Sequence, residues 1–262
     1  MTIQRAFTTF SIAIGSIFAL GTAPATAFSF NSGTDLGSCG SIPLETLSST
    51  GTSVSTVSSC TTADGITLTA GPDDAVMTLK EVNGVKGVGV FHDLHPVGSI
   101  QELDYGETIT LSTASPSIFS SLDISFLYTP GNDVFGDVIK EVASITAGGF
   151  TGSLSVVDSN TAQWSWNGIS QTISASSSST ASGGGLYRIL DPFGTTAVSE
   201  VTLTSFAEAG QSYRYSDYGL SGAEIVTPTT VAVPEPSVLL GTMGLAGIVA
   251  FAFSRRSQSD RA

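Results

Sequence analysis

Cations are the scarcest thing in this chain. Nine Lys and Arg stand against 22 Asp and Glu in 262 residues, leaving a formal net charge of −13. A field of that sign repels nucleic acid and anionic lipid headgroups, and nucleic acid is set aside as a partner. Histidine is nearly absent, and both copies fall in one stretch, His92-Asp-Leu-His95. Imidazole and carboxylate are good metal ligands, but an extended chain turns positions i and i+3 to opposite sides, so the stretch reads as a strand end and loop. Cysteine is limited to Cys39 and Cys60, which bracket a Ser/Thr/Gly-rich segment with no further ligands nearby. In an oxidising compartment this pair predicts one disulfide closing a loop of about 22 residues, worth about 3 kcal/mol by chain entropy.

Catalytic signatures are missing too. There is no Gly-x-Ser-x-Gly elbow, no His-Glu-x-x-His and no phosphate-binding glycine loop. A carboxylate pair could be drawn from so many acids by chance and carries no weight. The chain is therefore read as non-enzymatic, with a hydrolase of unrecognised type as the weakest alternative. Also lacking, between Phe28 and Val226, is any stretch of ten or more residues with a 3.6-residue repeat.

What is present there is period-two alternation broken by turn residues. Gly65–Ala70, Ala75–Lys80, Gly87–His92, Glu107–Ser112, Leu122–Tyr128, Gly152–Val157, Ala162–Trp166, Val198–Phe206 and Gly222–Val226 each alternate apolar and polar side chains. The expectation is an all-β fold, a single jelly-roll-like β-sandwich over 28–226. Ser174 to Gly185 is low-complexity Ser, Thr, Ala and Gly, and is expected to be a flexible loop that contributes no packed strand. Trp164 and Trp166 are two apart in a strand and share one face. They either fill the core or, if exposed, form a platform for sugar rings. Tyr213, Tyr215 and Tyr218 raise the same question. Asp104 and Glu107, with Glu102 beside them, are candidate calcium ligands through hard oxygens. Asp104-Tyr-Gly-Glu107 is equally a plain turn with Gly106 at positive φ.

Both ends look like addressing segments. Arg5 is the one charge in the first 27 residues, and the apolar run Ala6 to Gly21 leads to Ala25-Thr-Ala27. Small side chains at Ala25 and Ala27 suit signal-peptidase cleavage, so 1–27 reads as a secretory signal with the mature chain starting at Phe28. From Phe28 to Ala232 there are five cations and 20 acids (22 less Glu235 and Asp260), a net charge of −15. Residues 227–232 are a Thr- and Val-rich stalk. Beyond it come Val233-Pro-Glu-Pro236, the uncharged run Val238–Phe253 and the basic pair Arg255-Arg256. At about 1.5 Å per residue that run reaches roughly 24 Å as a helix, short but feasible for one membrane span. The arginines would hold the far side in the cytoplasm.

In that order, Val233-Pro234-Glu235-Pro236, hydrophobic helix and Arg255-Arg256, the segment 233–258 resembles the PEP-CTERM sorting signal of bacterial surface proteins. The resemblance implies that a membrane-embedded exosortase recognises Pro234-Glu235-Pro236 and cleaves near it, so the motif is a substrate and not an active site. Gly87-Val-Gly-Val, Glu102-Leu-Asp-Tyr-Gly-Glu107 and Leu122-Asp-Ile-Ser-Phe126 are also similar to a pattern of ectodomains bearing this signal. The implied protein is exported, anchored in the inner membrane, then placed at the cell surface or released. Its expected partner is extracellular polysaccharide or biofilm matrix. The competing expectation is a carbohydrate-binding module on the same anchor, perched on Trp164 and Trp166 and assisted by calcium at Asp104 and Glu107.

Overall fold

Leu68, Ile109, Leu111, Val201 and Leu203 have no exposed surface, while Thr67, Thr69, Thr108, Thr110, Thr202 and Thr204 beside them keep theirs in part or whole. The period of two fixes which face of each strand is buried, and β-branched threonine suits the outer face. The computed structural model describes residues 25–44, 55–92, 101–104, 106–129, 140–177, 183–205 and 217–227. All of them lie in one unit, Ala23–Pro228. The tail motif 233–236, the run 238–253, Arg255 and Arg256 fall outside the described residues, as do His95, Tyr213 and Tyr215. Among the described residues no helix is long and apolar enough to cross a membrane.

The expected all-β class holds. The strands are β1 Ala25–Ser29, β2 Ser59–Thr61, β3 Thr67–Gly71, β4 Val76–Val82, β5 Val85–Phe91, β6 Thr108–Tyr128 and β7 Val142–Ala147. They continue as β8 Phe150–Asp158, β9 Thr161–Trp166, β10 Ile169–Ser174, β11 Gly183–Leu190, β12 Val198–Ser205 and β13 Gly219–Val226. Every pairing between named strands is antiparallel.

One long strand organises the pairing. The first part of β6, Thr108–Ser112, lies between β3 and β12, and the sheet continues through β7, β8 and β9 to β10. Its second part, Ile118–Tyr128, lies between β11 and β13. The far edge of β13 is shared by β1 and β5, and β4 closes that side. Between the two parts the register with β12 jumps from Ser112↔Glu200 to Ser117↔Val198. The extra residues, Thr113 to Pro116, bulge outward, and three of them, Ala114, Ser115 and Pro116, are exposed. A bulge bends a strand, and a proline is tolerated where no ladder hydrogen bond is lost. The Ser/Pro-rich stretch that separates the expected strands 107–112 and 122–128 is thus a corner within one strand.

The two parts of β6 thus belong to two sheets, a larger one of β2, β3, β6, β12, β7, β8, β9 and β10 and a smaller one of β4, β5, β1, β13, β6 and β11, whose side chains meet in one hydrophobic cluster running from Phe28 and Leu68 to Trp164, Phe193 and Leu220. Tight hairpins set the registers. Asn83-Gly84, Gly148-Gly149 and Asn167-Gly168 each place both turn residues at positive φ, the two-residue turn that matches strand twist. Because β7 to β10 follow one another as adjacent hairpins, this half of the molecule is a meander and departs from the jelly-roll order expected.

One local expectation is revised and another holds. Gly183, within the stretch expected to lack a packed strand, starts β11, and Gly184 and Gly185 are buried. A Cβ on Gly185 would press on the Ala175 side chain, so the absence of side chains permits the packing. The disulfide Cys39–Cys60 is formed, tying the 3-10 turn Gly37–Ser41 to β2.

Candidate functional site

The glycines of Gly87-Val-Gly-Val explain why three distant segments meet. A Cβ on Gly89 would run into the backbone of Gln101 and Glu102, and one on Gly87 into Ser125 and Phe126. Lacking them, β5 accepts the 101–104 segment on one side of its length and β6 on another. Val90 donates its N–H to the Glu102 carbonyl at 3.1 Å, and Leu103 donates to the Tyr218 carbonyl at 2.7 Å. The three-part pattern of the sequence is therefore one place in the fold.

That place holds buried charge. Lys80 reaches from β4 to Glu102, 2.7 Å from Nζ to Oε1, and lies 4.9 Å above the Phe126 ring. Burial by itself would lower the Lys80 pKa, but the adjoining Glu102 carboxylate outweighs it and holds the ammonium above its ordinary value. Phe126 sits at φ 71, in a bulge that shifts the register with β11. The bulge turns its ring into a small cluster with Val85 and Tyr128. A proton-holding lysine paired in this way is neither nucleophile nor base.

Asp104 and Glu107 close a turn. Glu107 donates its N–H to the Asp104 carbonyl at 3.1 Å, and its Oε2 accepts the Asp104 N–H at 2.9 Å. Gly106 carries φ 86, as the turn requires. Both acids are buried, and burial pushes the Glu107 carboxyl up to about 8. Among the described residues no three His, Cys, Asp or Glu side chains converge as a metal site. One oxygen of Glu107 is already committed to the chain that carries it, and that does not favour calcium between Asp104 and Glu107.

The sugar platform at Trp164 and Trp166 is not formed. The two indoles do share a face, and it is the inner one: they are 0% and 4% exposed. Trp164 donates its ring N–H to the Pro192 carbonyl at 3.1 Å and Trp166 to the Phe150 carbonyl at 3.3 Å. Both rings stack edge-to-face on Phe193. Gly152 makes room for them, since a Cβ there would lie 2.8 Å from each tryptophan. Tyr218 is likewise buried, donating its hydroxyl to the Thr204 carbonyl at 3.0 Å. His92 lies just past the end of β5.

Sequence reasoning did not ask what the outer face of the larger sheet displays. In register across six strands run Ser59, Thr69, Thr110, Thr202, Thr146 and Thr151. A second row on the same side is Thr108, Thr204, Ser144, Ser153, Ser165 and Ser170, of which Ser144 is buried. Neighbouring hydroxyls bond along the rows, Thr146 to Thr151 at 2.8 Å, Ser153 to Ser165 and Ser59 to Thr69 at 3.2 Å. Two shallow clefts of about 300 and 250 Å³ lie on this face. One is bordered by Thr146, Thr202 and Glu200, the other by Ser144, Thr151, Ser153 and Ser165. The signal was legible as Thr67-Leu-Thr69, Thr108-Ile-Thr110-Leu-Ser112 and Thr202-Leu-Thr204.

The chain matches no protein-family model, no curated protein and no solved structure.

Proposed function

We propose that this chain is a non-enzymatic exported surface protein. Its β domain, read as a single β-sandwich on β6, is displayed by a tail that an exosortase reads at Pro234-Glu235-Pro236 and cleaves. The observation that carries this reading is how the two ends of the described domain meet. Ala25 pairs with Val226, so the first rung of β1 faces the last of β13; the expected signal 1–27 overlaps only the first three rungs of β1, and the expected stalk begins just past β13. Ala25 and Ala27 are exposed, whereas Phe28 and Phe30 are core residues at 2% and 3% exposure. Cleavage after Ala27 removes three rungs, two of them exposed alanines and one a half-buried threonine, and leaves both phenylalanine anchors in place. The tail's anchoring helix 238–253 and the basic pair Arg255-Arg256 hold the domain at the inner membrane until processing. Association with extracellular polysaccharide is the part of the reading supported by that location and by the two rows of uncharged hydroxyls on one sheet face.

Glu235 is the test. Pro234 and Pro236 fix φ near −65° and bias the preceding residues to extended structure, presenting the Glu235 carboxylate rigidly to an external reader. In a host with an exosortase, Glu235→Ala should accumulate as the full-length membrane-bound form on immunoblots. Processing at the wild-type rate would reduce the tail to an anchor and overturn the sorting reading.

A further inference from the structure

We infer that the hydroxyl-bearing outer face of the larger sheet is a docking surface for a neutral polysaccharide chain. This deepens the surface-protein reading and rests on it for the compartment in which such a chain is met.

The argument begins with charge. The molecule carries −13, yet the two in-register rows contain no ionisable side chain, and Glu200 beside Thr202 is the acid that borders them. An anionic polymer would be repelled by the whole molecule, and so would a second copy of this chain. A neutral partner meets neither cost. The face must then be read by groups that donate and accept without charge, and each Ser or Thr hydroxyl does both.

Periodicity adds a second constraint. Rows of the same residue type recur about every 4.8 Å across the strands and about 6.8 Å along them. A repeated surface is matched best by a repeated ligand, since many weak contacts on one chain add through effective concentration. A flat crystalline lattice is a poorer match. Strands twist by roughly 20–25° each, so a row of six turns through roughly 100° or more. A single flexible sugar chain can follow that twist and settle in the two clefts, where Thr146, Thr202, Ser153 and Ser165 present their hydroxyls.

The test is affinity electrophoresis of the full chain in mild detergent, in native gels containing hydroxyethylcellulose, galactomannan or the anionic polymer alginate. Wild type should be retarded by at least one neutral polymer and not by alginate. The triple change Thr110→Val, Thr146→Val, Thr202→Val keeps the β-branched shape and should weaken retardation at least tenfold with unchanged circular dichroism. Thr202→Ser, which keeps the hydroxyl, should retain it, whereas the single change Thr202→Val should weaken it at least threefold, and this milder pair decides the matter if the triple change fails to fold: equal retardation of the two would overturn the proposal. No retardation of wild type by either neutral polymer, equal retardation of the folded triple variant, or inhibition of ice recrystallisation without retardation would each overturn the proposal. Because the gels read binding alone and immunoblots read sorting alone, either can fail without the other.

Discussion

Replacing Glu107 by glutamine isolates the effect of one buried acid on the whole domain. Glu107 is 3% exposed, and burial lifts its carboxyl from an ordinary 4.5 to about 8, against the opposing effect of the Asp104 N–H that it accepts. The folded chain therefore retains a proton that the unfolded chain has released. Between pH 4.5 and 8 stability falls as pH rises, by up to roughly 5 kcal/mol once both states are ionised. Glutamine keeps a carbonyl oxygen for the Asp104 N–H and cannot ionise. Asp104 also faces this group and raises its pKa further, and the variant leaves Asp104 in place. Urea unfolding at pH 5 and pH 8 reads the difference. With a slope of about 2–3 kcal/mol per molar, the wild-type midpoint should drop relative to the variant by about 1–2 M. Subtracting the variant removes the general repulsion of an acidic chain. Midpoints that fall in parallel would show that Glu107 is solvated or paired differently, and the buried-turn account would be wrong.

Two further outcomes follow from the packing. Trp164→Phe removes the N–H that satisfies the Pro192 carbonyl and leaves a gap against Phe193, which should cost about 2–3 kcal/mol in chemical unfolding; a loss under 0.5 kcal/mol would mean that the indole is not part of the core. Reduction of Cys39–Cys60 should lower unfolding free energy by about 3 kcal/mol, and both thiols should resist alkylation of the folded protein until a reductant is added.

Alternation alone carried much of the fold. Thr67–Gly71, Val76–Val82 and Val198–Ser205 were legible because apolar and polar side chains alternate over most of each run. Val142–Ala147 escaped because its buried Ala143, Ile145 and Ala147 alternate with small polar residues in too short a run. Gly183–Leu190 escaped because glycine carries no periodic signal, although its later residues Tyr187 and Ile189 alternate with Arg188. The turns were stronger cues than the strands: Asn83-Gly84 and Asn167-Gly168 specify hairpins by themselves, and the latter implies Ile169–Ser174 as a partner for Ala162–Trp166. For the site, residue type left a choice. Tryptophan two apart in a strand reads more readily as core than as platform, and the burial of both indoles, with Gly152 leaving space for them on the inner side, bears out the core reading.

That outcome shifts where recognition can lie on this domain. Aromatic side chains are the usual means of holding sugar rings, and here Trp164, Trp166, Tyr187 and Tyr218 are all committed to the interior. The strongest charge pairings, Lys80 with Glu102 and Arg188 with Asp123, hold β4 to the 101–104 segment and β11 to β6. Each has at least one member almost wholly buried, so its removal would act first on stability. The proposed polysaccharide surface therefore relies on small hydroxyls on rigid strands, where each contact is weak and the number of contacts is fixed by register. A surface of that kind would favour long repeating chains over single sugars, because only a chain can engage several rows at once.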